Sequence, residues 1–273
     1  MVKPATPAKP KKTQLSKKAT FGSLFKVSLE EYKSNFRTFL IFLLIFIGTP
    51  LVILTSIDIF SVLMNEETQS FLMTNSYESI PPVFIILMSF IAVIVYLFTY
   101  LFTTGAITYA SIKNRGYNYN RLVKAGQVSW LKYFGFLIVF CFFLFLLFLL
   151  FIIPGIIFAV FWMLSIYVFF DEKKGIMNSL KKSKQLVKGN WWRTFGYALL
   201  LSLMLIVTQW IVSIPIAVIS LGPTPFYLRS NPGVFIFLSV YSLFVNLFSA
   251  LLYPIAIIFY KNYYFALKKE KGI

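Results

Sequence analysis

"YFGFLIVFCFFLFLLFLLFIIPGIIFAVFWMLSIYVFF", residues 133–170, is a run of 38 residues without a single charge. As one helix rising about 1.5 Å per residue it would be about 57 Å long, nearly twice the roughly 30 Å hydrocarbon core of a bilayer. The run has to fold back on itself. Pro154-Gly155 is the place the sequence offers, because proline lacks an N–H and glycine tolerates turn dihedrals. Two spans are predicted, 133–153 and a short returning 154–171.

The remaining charge-free runs are 38–57, 83–112, 194–228 and 230–260, the last two trimmed by the turn signals "GPTP" (222–225) and "NPG" (231–233). Together they predict an all-α fold, a polytopic transmembrane helix bundle of six spans at about 38–60, 83–110, 133–153, 154–171, 194–221 and 233–260. Composition agrees: 59% of residues are hydrophobic, 19% aromatic and only 13% charged, whereas a soluble domain carries about 25% charged residues. A mean hydropathy of +0.79 leaves more apolar surface than one soluble core can bury. The single cysteine, Cys141, lies inside an apolar run, which excludes an intramolecular disulfide and a cysteine metal cluster and reads as a small packing residue.

Charge gives the orientation. Of the 26 Lys and Arg residues, 9 fall in 1–37, 5 in 113–132, 7 in 173–193 and 4 after Tyr260. Only Arg229 lies in a connection on the opposite side, where "SIDIFSVLMNEETQSFLMTNSYESIPP" (56–82) carries four acids and no base. Cytoplasmic loops keep the excess of cationic side chains, so the expectation is a multi-pass protein of the cytoplasmic (inner) membrane with both termini cytoplasmic. The net charge of +17 is then gathered on one membrane face, where anionic headgroups attract each basic side chain by about 1 kcal/mol. Residues 1–23, rich in Lys, Pro and Ala, lack the apolar stretch of a signal peptide. They read as a disordered basic tail ahead of a membrane domain over 24–273, lying on acidic lipid rather than binding nucleic acid.

Three outward-going spans are preceded by a basic amphipathic segment ending in an aromatic-basic junction: "SNFRTF" (34–39), "SWLKYFG" (129–135) and "NWWRTFG" (190–196). In the first segment Phe25, Leu29, Tyr32 and Phe36 share a helical face. In the third Ile176, Leu180, Val187 and Trp191 do so, with Lys181, Lys182, Lys184 and Lys188 largely off it. Short interfacial helices on the cytoplasmic side are the expectation, anchored by aromatic rings at headgroup depth. The candidate contacts for anionic lipid or a partner chain are Lys181, Lys182, Lys184, Lys188, Trp191, Trp192, Arg193, Trp130, Lys132 and Arg37. Aligning Arg37, Lys132 and Arg193 suggests a unit of interfacial helix, outgoing span and returning span used three times. Pro154 and Pro215 each fall 22 residues after their basic residue, whereas Pro50 falls 13 after Arg37 and fits poorly.

The segments around 103–140 and 152–201 resemble the prokaryotic membrane-domain family named after the membrane region of some glycerophosphoryl diester phosphodiesterases, together with related inner-membrane proteins. The resemblance rests on Ile153, Pro154 and Gly155, an acidic residue at Asp171 or Glu172, then Ser179, Leu180, Ser183, Leu186 and Gly189, followed by Trp191, Trp192 and Arg193. It covers the middle third of the chain and implies a fold; in that family's phosphodiesterases catalysis belongs to a separate soluble barrel.

Such hydrolysis needs acid/base groups and carboxylates clustered around a metal. This chain has no His and only nine acidic residues, Glu66 and Glu67 among them in a connection, and "GNWWRTFG" (189–196) lacks the spacing of a phosphate loop. The expectation is a protein without catalytic residues, cofactor or metal, a scaffold that binds lipid or a partner. The alternative is a permease, or the membrane subunit of a transporter with an ATPase on another chain, handling a small or lipidic molecule. That reading turns on the neutral intramembrane residues Thr99, Thr103, Thr104, Gln209 and Asn246, of which Gln209 and Asn246 are the candidate positions for a polar path. Thr104 with Thr108 and Ala106 with Ala110 have the spacing of small residues that pack helices together.

Overall fold

The computed structural model describes residues 19–72, 82–113, 116–221 and 232–272. Most of the expected 1–23 tail, the middle of the acidic connection and the "GPTP" turn therefore lie outside the described residues. The helices are α1 (Phe21–Ser34), α2 (Phe36–Leu43), α3 (Thr49–Leu72), α4 (Pro82–Ile112), α5 (Tyr119–Leu150), α6 (Ile152–Trp162), α7 (Ser165–Glu172), α8 (Ile176–Val187), α9 (Trp191–Leu221) and α10 (Pro232–Glu270), and there is no strand among the described residues. Six stretches are long and apolar enough to cross a membrane: Phe36–Phe60, Ile86–Ile112, Tyr119–Leu150, Ile152–Glu172, Trp191–Val218 and Gly233–Glu270. The fold is an all-α polytopic bundle.

The fold-back in the 133–170 run falls three residues before the proline. Phe151 alone is extended, at φ −158° and ψ 130°, between α5 and α6. Pro154 is the third residue of the returning helix, where its missing N–H has no intrahelical partner to lose. Both backbone groups of Phe151 are bonded, the N–H to the Leu147 carbonyl at 3.0 Å and the carbonyl to the Gly155 N–H at 3.2 Å. The turn is therefore closed by the backbone and needs no polar side chain. Gly155 is required by closeness, since a Cβ there would stand 2.6 Å from the Phe148 ring.

Two other proline sites shape the helices. Between α2 and α3 the chain widens into a π-helical turn, Leu44–Gly48, just before Pro50. Pro50 cannot donate to the turn before it, and the Thr49 N–H reaches back five residues to the Leu44 carbonyl. In α10, Pro254 interrupts the ladder, and side chains bond carbonyls on either side of it. Tyr32 donates to Leu251 at 2.9 Å and Tyr167 to Ile257 at 3.1 Å.

Two interfacial segments are separate helices, α1 and α8, but the one before Lys132 is continuous with its span in α5. The three units expected from the aligned basic residues therefore differ at their entry. Likewise the segment read as an external connection from residue 56 begins as an extension of α3 up to Leu72.

Packing is concentrated at the basic end. One apolar cluster joins the start of α1 to α6–α10 through Leu24, Leu164, Val168, Leu186, Phe259 and Tyr263. A second joins α1–α5 to α10 through Phe39, Phe42, Phe102, Ile107, Leu122 and Ile258. In the far half, by contrast, no described side chain is buried after Leu51 on α3, after Phe136 on α5, after Leu201 on α9, or before Val245 on α10. The tightest seam is α4 against α5, where Gly105 lies against Ser129 and Tyr133 and Phe102 against Gly126. A Cβ at Gly126 would meet the Phe102 ring at 2.3 Å, whereas nothing lies within 4 Å of one at Gly135. Gly126→Ala is expected to cost about 1–3 kcal/mol through overpacking and to lower the thermal midpoint in detergent, while Gly135→Ala on the same helix, where the new methyl meets nothing, holds or raises it.

Candidate functional site: the basic end of the bundle

The last turns of α10, residues 260–270, and Lys271 just after them pack among the amphipathic segments and bond α1, α7, α8 and α9. Lys261 Nζ lies 2.5 and 2.6 Å from the two carboxylate oxygens of Glu31 on α1. Asn262 donates to Ser28 at 3.0 Å, and Tyr117 donates to Glu31 at 3.0 Å. Two turns on, Lys268 reaches Asp171 at 2.6 Å and Glu172 at 3.5 Å, and Tyr264 donates to Asp171 at 2.8 Å. Glu172 also holds Lys182 of α8 at 3.0 Å and Lys174 at 2.8 Å. Glu270 pairs with Arg193 at 2.6 Å, and the hydroxyls of Tyr263 and Thr194 are 2.7 Å apart. Finally Lys271 donates to the carbonyls of Gln185 and Lys188 at 2.6 and 2.7 Å, a cation on the negative end of α8.

These contacts follow from helical spacing. Lys261, Tyr264, Lys268 and Lys271 recur at three- and four-residue intervals, and Tyr263 and Glu270 are seven apart on a second face. Burial then sets protonation. Two phenols that lie outside the spans, Tyr32 and Tyr117, have their acid ionisation pushed up by burial, and Tyr117 further by the Glu31 carboxylate it bonds. Both serve as fixed donors.

The structure sorts the residues singled out from the sequence. Lys182 and Arg193 have their charges met within the chain. Trp191 packs inward, stacked on Phe195 at 5.4 Å with its indole N–H on the Ile157 carbonyl at 3.2 Å. Trp192 stands out 78% exposed and edge-on to Trp191 at 4.7 Å. The pair borders an open groove lined by Gly189, Asn190, Trp191, Trp192 and Arg193. Trp130 is half-buried against Phe98 at 5.1 Å. Lys181, Lys188, Lys132 and Arg37 are exposed, and Lys184 is exposed with its ammonium 4.9 Å from the centre of the Phe158 ring. Gln209 accepts from Ser249 of α10, and Asn246 turns its amide back to the Ser242 carbonyl at 2.9 Å.

The face of α8 turned inward consists of Ser179, Leu180, Ser183, Leu186 and Val187, so the α8 helix docks on protein. Ile176 and Trp191, expected on that face, are half-buried at its margin. Ser183 is accommodated because its hydroxyl donates to the Phe161 carbonyl at 2.7 Å. Among the described residues no three His, Cys, Asp or Glu side chains converge as a metal site requires.

Six apolar helices knit at one end by ion pairs define a multi-pass α-helical membrane protein. Within that class the chain belongs to a domain family of unknown function, DUF7847, whose model matches residues 75–263. No curated protein and no solved structure matches it.

Lys261 is 6% exposed and faces a carboxylate 25% exposed, so removing one partner strands a buried charge. Lys261→Met or Glu31→Ala is expected to lower stability by about 3–5 kcal/mol. Glu31→Gln combined with Lys261→Met keeps an acceptor for Tyr117 and is expected to recover more than half of the loss, read as denaturation midpoints in detergent.

Proposed function

We propose that the protein is a non-enzymatic scaffold of a prokaryotic cytoplasmic membrane, both ends on the cytoplasmic side, whose basic face holds anionic lipid headgroups. One observation carries this. Four of the five described acidic side chains at the basic end, Glu31, Asp171, Glu172 and Glu270, are consumed by internal ion pairs, while Lys26, Lys33, Arg37, Lys124, Lys132, Lys181, Lys184 and Lys188 remain exposed, as does Trp192. A cationic surface with an aromatic ring at its edge, next to apolar spans, matches a layer of acidic headgroups. Because α8 is held by Lys271 and Lys182, its outward lysines are presented on a fixed frame. The family match gives no link to the phosphodiesterase membrane-region family that residues 153–193 resemble, so the reading stands on the charge distribution alone.

Reversing Lys181, Lys184 and Lys188 to Glu is expected to reduce anionic lipid retained in native mass spectrometry by about tenfold or more. It is also expected to raise hydrogen exchange over residues 176–188 in anionic nanodiscs but not in zwitterionic ones. Unchanged retention and exchange in both overturns the headgroup reading. Labelling of a Trp192→Cys variant from the side opposite either chain end overturns the orientation.

A further inference from the structure

Ser242, Asn246, Ser249 and Tyr253 recur on α10 at intervals of four, three and four, one polar stripe through the middle of an apolar span. Its neighbours fix where it points. Ser249 donates to Gln209 of α9, and the Tyr253 ring meets Tyr100 of α4 edge-on at 5.5 Å, with Tyr96 a further turn along α4 and 6.4 Å from Tyr100. The stripe thus runs along the seam between α9 and α4. Phe237, Val240 and Phe244, all more than half exposed, occupy the other side of α10.

Yet the stripe is uncovered: Asn246 is exposed and Tyr253 is 41% exposed. It begins where tight packing stops, since the helices farther out bury almost nothing against one another. Asn246 spends an N–H on the Ser242 carbonyl at 2.9 Å but leaves its side-chain oxygen without a partner among the described residues, and an acceptor unmatched in hydrocarbon is costly, so the stripe calls for a donor delivered at that depth. Neither the stripe nor Gln209, Tyr96 or Tyr100 is charged, and a phosphate or ammonium at mid-membrane would go uncompensated. The apolar flanks beyond suit acyl chains.

We propose, independently of the reading of the basic end, that the α4–α9–α10 seam is a binding cleft for a lipid with a small uncharged hydroxyl- or carbonyl-bearing head. The head hydrogen-bonds Asn246 and Tyr253, and its chains lie along the outer halves of α9 and α10. A second copy of the chain meeting Asn246 through its own helix is disfavoured by the stripe's direction, because that helix would have to enter between α9 and α4.

The test uses the full-length protein in phosphatidylcholine nanodiscs containing diacylglycerol with a diazirine on one acyl chain. Cross-links are expected on the α9 and α10 segments bordering the seam, competed by unlabelled diacylglycerol and not by phosphatidylglycerol. Yield is expected to fall about fivefold in Asn246→Leu, the worth of one good hydrogen bond, and to be kept in Asn246→Gln, which separates loss of the amide from loss of fold. Equal labelling of the Phe237, Val240 and Phe244 surface without competition overturns the proposal. So does competition by phosphatidylglycerol as strong as by diacylglycerol, or disulfide cross-linking of two copies through Asn246→Cys in a Cys141→Ser background.

Discussion

The structure depends on the contact between the final turns of α10 and the amphipathic helices at the basic end. Lys261 on Glu31, Lys268 on Asp171, Glu270 on Arg193 and Lys271 on the end of α8 connect one helix to α1, α7, α9 and α8 in turn. Each pair is partly withdrawn from water, so the Coulomb attraction acts in a lower dielectric than at an open surface, and the hydroxyls of Tyr117 and Tyr264 donate further bonds to Glu31 and Asp171, while Glu270 Oε1 and Arg193 Nε are buried without a partner among the described residues. Apolar helices in lipid gain little from hydrophobic burial against one another, because the surrounding chains are equally apolar. Polar bonds at the rim can therefore set the arrangement of the bundle, and the two apolar clusters lie directly beneath them.

This division explains why the packing fades with distance from the rim. Near the charges, small residues let α4 and α5 approach closely, and Gly126 receives the Phe102 ring. Farther out, Leu149, Leu150, Phe151, Ile152 and Ile153 are each at least 65% exposed. Lipid contacts can replace protein contacts there at little cost, which leaves room for the exposed polar stripe on α10.

Much of the fold was legible because a charge-free run longer than a bilayer admits few arrangements, and Tyr133–Phe170 forces a hairpin. The turn was misplaced by three residues because proline was weighed as a helix breaker, whereas in the first turn of α6 it fits a helix start. For α8 the motif residues Ser179, Leu180, Ser183 and Leu186 carried the signal better than hydrophobic spacing did, since a buried serine is acceptable once its hydroxyl bonds a nearby carbonyl. The α10 network was not legible. Glu31 and Lys261 are 230 residues apart, and counting cations to find the membrane face treats Lys261, Lys268 and Arg193 as free when each has an internal partner.

The hairpin of α5 with α6 and α7 bears on how the chain enters a membrane. From Tyr133 to Phe170 it carries no ionised group, and its bend is closed by main-chain bonds at Phe151. Threading a loop through a bilayer is ordinarily opposed by the need to strip water from charged or unpaired polar groups, and here no charge contributes to that barrier. The two arms can enter as a preformed pair after synthesis of Glu172, without a conducting pore for the loop, leaving the lysines that follow as the stop that holds them in place.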